Sequence, residues 1–340
     1  MTEILRKYID TFRTSRDLAE SEAEIFLDAL IDEIDETTLA AVFREWNGKC
    51  ISSDEIYMIA KIMRGRCTRV RSGHPSLSDI VGTGGSKNKT FNVSTAAAFV
   101  VAGYGLPVAK HGNRAATSNS GSADVLTELG VEPAVDASTA ERCLREIGIC
   151  FMFAPNFHRL SPTLAKVRRG LGFPTIFNCV GPLCNPAGAG NQLIGVWSEE
   201  MVGKMADALA RLGTQRSWIV HGLGGLDEIA ISTTTRVAEV NGGDVRMFEI
   251  TPSDFGIEGE LPDAPTVVDA RESAELIRAI LDLKNKNSAG ETLVLINAAA
   301  ALFLSGRGDT LAESYQRAKE SLYSGQAKTK LSMLADAVRT

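Results

Sequence analysis

Three clusters of residues carry the chemistry this chain could do, and all three suit a small phosphorylated ligand. The first is Gly82-Thr83-Gly84-Gly85, set after the apolar pair Ile80-Val81 and before a helical pattern that begins near Asn92. Glycines there let the backbone close on a phosphate and turn its N–H groups inward, while a helix N-terminus adds favourable partial charge. A tight turn would explain the glycines equally well. Asn92, Ser94 and Thr95 bring side-chain oxygens to the helix start. These types commonly cap helices, and a hydroxyl beside a phosphate loop can also coordinate Mg2+.

The second cluster is Lys110-His111-Gly112-Asn113-Arg114, which follows the apolar run 106–109. Ligands collect beyond strand ends in open α/β sheets. Lys110 and Arg114 offer charge, Gly112 permits close approach, and Ser118, Ser120 and Ser122 stand near the next helix start, where they could hold a second phosphate; a solvated loop is the plainer reading. The third is Leu226-Asp227-Glu228, beyond a glycine pair. Adjacent carboxylates suit Mg2+, which takes one or two of them together with waters and ligand phosphates; an exposed acidic turn is the alternative. His111 and His158 are acid–base candidates or hydrogen-bonded structural imidazoles. No Ser-His or Cys-His arrangement marks a covalent nucleophile.

Patterning supplies the elements that must position these groups. Apolar residues at helical spacing, such as Ile4, Leu5, Tyr8, Ile9 and Phe12, run through residues 1–67, and a turn-rich connector follows at 72–78. From Asp79 onward a short apolar run ends in glycines, a helix follows, and another short run comes next. Comparable runs recur at 149–154, 193–197 and 218–221, with a helical stretch at 199–212, a basic helix at 161–172 and further helices from 273 to the end. The expected fold class is α/β, a large mostly parallel sheet domain covered by helices. A smaller all-helical domain at 1–72, completed by a segment near 161–185, is expected beside an α/β domain at 73–340. The 181–187 turn cluster, with Asn185-Pro186-Ala187, reads as a hinge or pocket wall.

Bulk composition narrows the partners. With 340 residues and 44% hydrophobic content the chain can bury a sizeable core, and a net charge of −6 argues against nucleic-acid binding, which needs many cations on one face. The apolar stretches are too short to cross a bilayer. Six cysteines, without a CxxC pair or a His-rich neighbourhood, fit a reducing cytoplasm better than a zinc site or disulfide framework.

Taken in order, Gly82 to Gly85, Lys110 to Arg114, Asn185 to Ala187 and Leu226 to Glu228 resemble the hallmark segments of the anthranilate phosphoribosyltransferase family. The likeness extends over Thr175-Ile176-Phe177-Asn178 and the alanine-rich helix at Asn297. It implies a small helical domain joined by hinge segments to a larger α/β domain, usually as a homodimer through the helical domain. It further implies binding of 5-phosphoribosyl-1-pyrophosphate (PRPP) with Mg2+ and transfer of its ribose phosphate to anthranilate. By the resemblance, Gly82, Gly85, Ser86, Thr90, Asn92, Val93, Ser94, Thr95, Lys110, His111, Gly112, Asn113, Arg114 and Ser122 would line the PRPP site. Ser94, Asp227 and Glu228 would hold Mg2+, and Arg168 would receive the anthranilate carboxylate beside Gly82, Asn113 and His158.

The chain departs from the family pattern at Ser86, where an Asp is usual, at Arg159-Leu160-Ser161-Pro162, at Gly224 and at 232–235. These departures bear more on the acceptor than on PRPP. Three other readings remain at this level: a phosphoribosyltransferase for a different aromatic acceptor, a pyrimidine nucleoside phosphorylase of the same fold, and a non-catalytic relative that binds nucleic acid or a regulator.

Overall fold

The 3.6-residue spacing at the start of the chain becomes four helices, α1 (Thr2–Arg13), α2 (Ala23–Asp32), α3 (Glu36–Gly48) and α4 (Ser53–Arg66). Their starts are written locally: the Asp35 carboxylate accepts from the Thr37 and Thr38 N–H groups, and Ser52 with Glu55 forms a reciprocal capping box. Phe12, Phe26 and Trp46 pack face and edge at their centre, with Phe12 and Trp46 stacked at 5.3 Å. The computed structural model describes residues 2–86, 88, 90–115, 120–259, 261–284 and 288–339, the side chain of Thr2 aside.

The short apolar runs form one seven-stranded sheet. Its strands are β1 (Ser78–Gly82), β2 (Val108–Gly112), β3 (Ile149–Phe153), β4 (Asn191–Gly195), β5 (Arg216–Gly222), β6 (Thr235–Asn241) and β7 (Asp244–Ile250), in the order β3-β2-β1-β4-β5-β6-β7. The first five are parallel, and β6 and β7 close the edge as an antiparallel hairpin. Connections leave β1 toward β2 and β3 on one side and return to β4 on the other, so the order reverses at β1. That is where an open α/β sheet holds its ligand, beyond the carboxyl ends of the strands.

Eleven further α-helices complete the described chain: α5 (Val93–Gly103), α6 (Ser122–Glu128), α7 (Ala137–Ile147), α8 (Ala154–Phe157), α9 (Pro162–Gly170), α10 (Ile176–Leu183), α11 (Glu199–Leu212), α12 (Ala270–Leu281), α13 (Ala289–Leu304), α14 (Leu311–Tyr323) and α15 (Gln326–Ala337). Helices α5 and α13 are apolar all round and pack on each other, as a helix without a polar face must. In the other direction α9 lies against α3, and α10 and α11 lie against α4. The N-terminal helices therefore share one apolar cluster with α9, α10, α11 and one face of the sheet.

One expectation is corrected and one element was missed. The apolar run before Lys110 was expected to end the strand, yet β2 continues through Gly112, because Lys110, His111 and Gly112 pair in register with Phe151, Met152 and Phe153. The hairpin β6–β7 was not anticipated; its signal is alternation broken at Asn241-Gly242, a pair suited to a tight turn, with Gly242 at φ 61°. Among the described residues no helix is long and apolar enough to cross a membrane.

Candidate active site

A cavity of about 490 Å³ opens at the carboxyl ends of β1 and β2. One wall is the glycine loop. Gly84 and Gly85 adopt φ of 65° and 83°, the left-handed region that glycine enters without a Cβ clash. The Thr83 N–H donates to the Gly195 carbonyl (2.9 Å) and the Gly84 N–H to Asp227 Oδ2 (3.1 Å). A Cβ on Gly82 would stand 2.8 Å from Asp227 Oδ2, and one on Gly195 would collide with the Asp227 carbonyl. Two bare strand ends thus make room for one carboxylate. Ser86 reinforces this wall by donating to the Gly225 carbonyl, and Thr90 Oγ1 donates to Glu228 Oε2 (3.1 Å).

Asp227 and Glu228 are half-buried neighbours. Burial pushes the Asp227 carboxyl above its usual range; burial, followed by the Asp227 charge, pushes Glu228 well above. Two repelling carboxylates with no Lys or Arg among the described groups acting on them form a donor set suited to a divalent cation. With no third His, Cys, Asp or Glu grouped beside them among the described residues, the remaining ligands would be hydroxyl, water and phosphate, the habit of Mg2+.

Lys110 lies beneath this wall, buried, its ammonium donating to the Ile80 carbonyl (2.6 Å) and to Ser94 Oγ (3.2 Å). Burial lowers its pKa to about 8, opposed by Asp79. Asp79, fully buried, is raised to about 6 by burial and held down by Lys110 and by Asn185. Asn185 Nδ2 donates to Asp79 Oδ2 (2.8 Å) and to the Ala109 carbonyl (2.8 Å), so the Asn-Pro-Ala turn pins β1 to β2. Asn92 occupies the N-cap position of α5 without making a capping bond. Its Oδ1 accepts instead from Ser120 Oγ (2.7 Å) and Ser273 Oγ (2.8 Å), joining three segments. Arg114 has committed its charge to Asp124 (3.0 Å).

The opposite wall is built on α9 and α10, joined by His111 from β2 and His158 just after α8. The Arg168 guanidinium lies 5.0 Å over the Phe177 ring, and its Nε is buried without a hydrogen-bond partner among the described residues. Burial, then the adjacent Arg169, lowers its pKa to about 10, so it stays charged at neutral pH. His111 and His158 face each other with ring centroids 5.0 Å apart. Each has a buried, unpartnered Nε2. Burial first, then His158, lowers His111 to about 3, and burial lowers His158 to about 4, so both are neutral at pH 7. Asn178 links the walls: its Oδ1 accepts from the Thr175 N–H (2.9 Å) and its Nδ2 donates to the Thr83 carbonyl (3.0 Å).

Every expected site residue but one lines this cavity. The exception is Thr95, buried with an unpartnered hydroxyl and absent from the lining; Ser118 lies outside the described residues. Asp79 was not singled out from sequence, although an acid within an otherwise apolar strand run was a signal. Nor was Asn178 given a role, because its bond to Thr83 spans 95 residues.

A family model described as the glycosyl transferase family, a/b domain, matches residues 74–328. The anthranilate phosphoribosyltransferase of Azorhizobium caulinodans is 44% identical over 84% of this chain and 82% of its own. Among solved structures, anthranilate phosphoribosyltransferase from Thermus thermophilus aligns with a TM-score of 0.87 at 36% identity, covering 98% of this chain and 99% of that one. The Saccharomyces cerevisiae enzyme in complex with PRPP and Mg aligns with a TM-score of 0.88 at 29% identity, covering 99% of this chain and 98% of its own.

Proposed function

The chain belongs to the anthranilate phosphoribosyltransferase family within these glycosyl transferases, and on that premise we propose that its cavity seats PRPP against the glycine loop and anthranilate against Arg168. It is a pentosyltransferase that moves the 5-phosphoribosyl group of PRPP to anthranilate with release of pyrophosphate. The product is N-(5-phosphoribosyl)anthranilate, a step of tryptophan biosynthesis, and Mg2+ is the metal. The observation that carries the residue assignment is the division of one cavity into an acidic, glycine-lined wall and a wall of unpartnered buried nitrogens.

Displacing pyrophosphate from ribose C1 builds positive charge on the sugar and negative charge on the leaving oxygens, so positioning and electrostatics are what the protein must supply. When bound, Mg2+ supplies neutralisation of the departing pyrophosphate. Ser94, Asp227 and Glu228 are its donors on this reading. Lys110, anchored on Ile80 and Ser94, brings a cation to the same place, and Gly82, Gly85, Ser86, Thr90, Asn92, Val93, Gly112, Asn113, Arg114 and Ser122 shape the pocket around the phosphates and ribose. Arg168 receives the anthranilate carboxylate in a charge-assisted contact. His111 and His158, neutral and each with a buried Nε2 that has no partner among the described residues, complete that subsite beside Gly82 and Asn113. The anthranilate amine is nucleophilic without prior deprotonation, so no covalent nucleophile is required.

Leu160, Ser161 and Pro162, in the segment that departs from the family pattern, line the cavity on the Arg168 side. Residues 1–72, completed by a segment near 161–185, form a helical domain beside the 73–340 sheet domain; the packing of α9 on α3 and α10 on α4 supports this. Ile4, Ile25 and Ile34, exposed at 40%, 56% and 82%, support a homodimer joined through the helices. Six unpaired cysteines agree with a cytoplasmic setting. The test is loss of anthranilate fluorescence on adding PRPP and Mg2+, with pyrophosphate release measured in parallel. Stoichiometric, Mg2+-dependent turnover is expected. PRPP binding without turnover would transfer the Arg168 wall to another aromatic amine, and phosphorolysis of a pyrimidine nucleoside without PRPP would replace the reading.

A further inference from the structure

Helix α13 is apolar along nearly its whole length, yet it carries a buried amide at Asn297. The Asn297 Oδ1 accepts from the Ile229 N–H (3.0 Å), and its Nδ2 donates to the Ile229 carbonyl (3.2 Å) and to the Leu293 carbonyl (2.9 Å). One side chain therefore satisfies both backbone polar groups of the residue that follows Glu228. Ile229 is itself buried, out of reach of bulk water as a substitute partner.

The segment around the carboxylates is pinned on each side of them. Before it, Gly222 and Leu226 exchange two backbone hydrogen bonds (3.0 and 3.1 Å). After it, the Ala230 N–H donates to Thr235 Oγ1 (3.0 Å). Asp227 and Glu228 sit between these anchors, and Asn297 is bonded to the residue next to them. Asn297 also borders, together with Ser94, Asp227 and Glu228, a void of about 10 Å³. Two adjacent carboxylates repel each other, and only a rigid backbone keeps them aimed at one point before a cation arrives.

We propose that Asn297 is a positioning residue for Mg2+: by clamping Ile229 it fixes the backbone that carries the Asp227 and Glu228 carboxylates, so that both would be held ready for the cation. The inference rests on the reading of Asp227 and Glu228 as Mg2+ donors. Asn297 itself touches neither substrate nor metal, and acts through the backbone. Outer partners of this kind typically change metal affinity about 10- to 100-fold when removed.

The test uses Mn2+ as the probe, with free Mn2+ followed by electron paramagnetic resonance in the presence of PRPP, on full-length wild type, Asn297→Ala and Asp227→Ala. Asn297→Ala should weaken Mn2+ binding about tenfold or more and raise the Mg2+ concentration for half-maximal rate by a similar factor. The anthranilate KM should stay within about twofold, and excess Mg2+ should restore kcat, a split that a general packing defect would not produce. Unchanged Mn2+ affinity in a folded Asn297→Ala protein would overturn the proposal. If Asn297→Ala does not fold, Asn297→Ser, which keeps a smaller hydroxyl, takes its place: weaker Mn2+ binding supports the proposal and unchanged binding overturns it. If Asp227→Ala binds Mn2+ as wild type does, the metal reading itself fails and this inference falls with it.

Discussion

The two walls of the cavity solve opposite problems. On the glycine side the groups that meet charge are tied down in advance: Asp227 accepts from Gly84, Glu228 accepts from Thr90, and Lys110 is fixed on Ile80 and Ser94. On the other side, Arg168 Nε and the Nε2 atoms of His111 and His158 are buried with no partner among the described residues. Buried polar groups are normally satisfied, and leaving one unmade costs about 1–3 kcal/mol. The first wall is thus built to hold still what a diffusing, highly charged phosphate and its cation will meet. The second keeps hydrogen-bonding capacity in reserve for a smaller, more apolar ligand that must supply the missing contacts.

Breaking the first wall should have the largest effect. The Asp227→Ala, Glu228→Ala double variant should lose about 10³-fold in kcat, the order expected when transition-state charge loses its main stabilising group, with the fold retained by circular dichroism. Breaking the second should divide the kinetic constants differently. Arg168→Ala should raise the anthranilate KM about 10- to 100-fold, the value of a hydrogen bond to a charged group, and leave the PRPP KM within about twofold.

The imidazoles sharpen the contrast through pH. His158 has a native pKa of about 4 against an ordinary 6.5, so between these values the unfolded chain binds a proton that the native protein refuses. Stability is therefore complete above about pH 6.5 and falls as pH drops toward 4. The part due to His158 is about 2 kcal/mol at pH 5. Denaturant titrations should show His158→Gln with a flatter acid limb than wild type. The smallest effect tests whether α9 acts through its buried guanidinium or through its surface charges. Lys166 and Glu36 join α9 to α3 with both side chains exposed, and Lys166→Ala should cost less than about 1 kcal/mol by chemical denaturation and leave both KM values alone.

How far the sequence could be read follows the distance over which each feature is decided. The glycine loop, the paired carboxylates and the short apolar strands are local patterns, and they stand in the structure where the pattern puts them. Polar residues inside the sheet were harder. Lys110 and His111 look like loop residues until β3 is known to pair with them and Ile80 to receive the ammonium. Asn92 has the residue type and position of a cap, and only contact with Ser120 and Ser273, 28 and 181 residues away, shows that its side chain bridges instead. The Asp79–Asn185, Asn178–Thr83 and Asn297–Ile229 bonds span 106, 95 and 68 residues. No local window along the chain contains both ends of such a bond. The roles of Arg168 and His158 came from resemblance; the structure adds the physical fact that both present buried nitrogen without a partner to one cavity.

The division of labour between the walls is tested most directly by calorimetric titration of PRPP with Mg2+ into wild type, Arg168→Ala and the Asp227→Ala, Glu228→Ala double variant. Arg168→Ala should bind PRPP within about twofold of wild type, while the double variant should lose at least about tenfold. Loss of PRPP binding in Arg168→Ala, with binding intact in the double variant, would contradict the account.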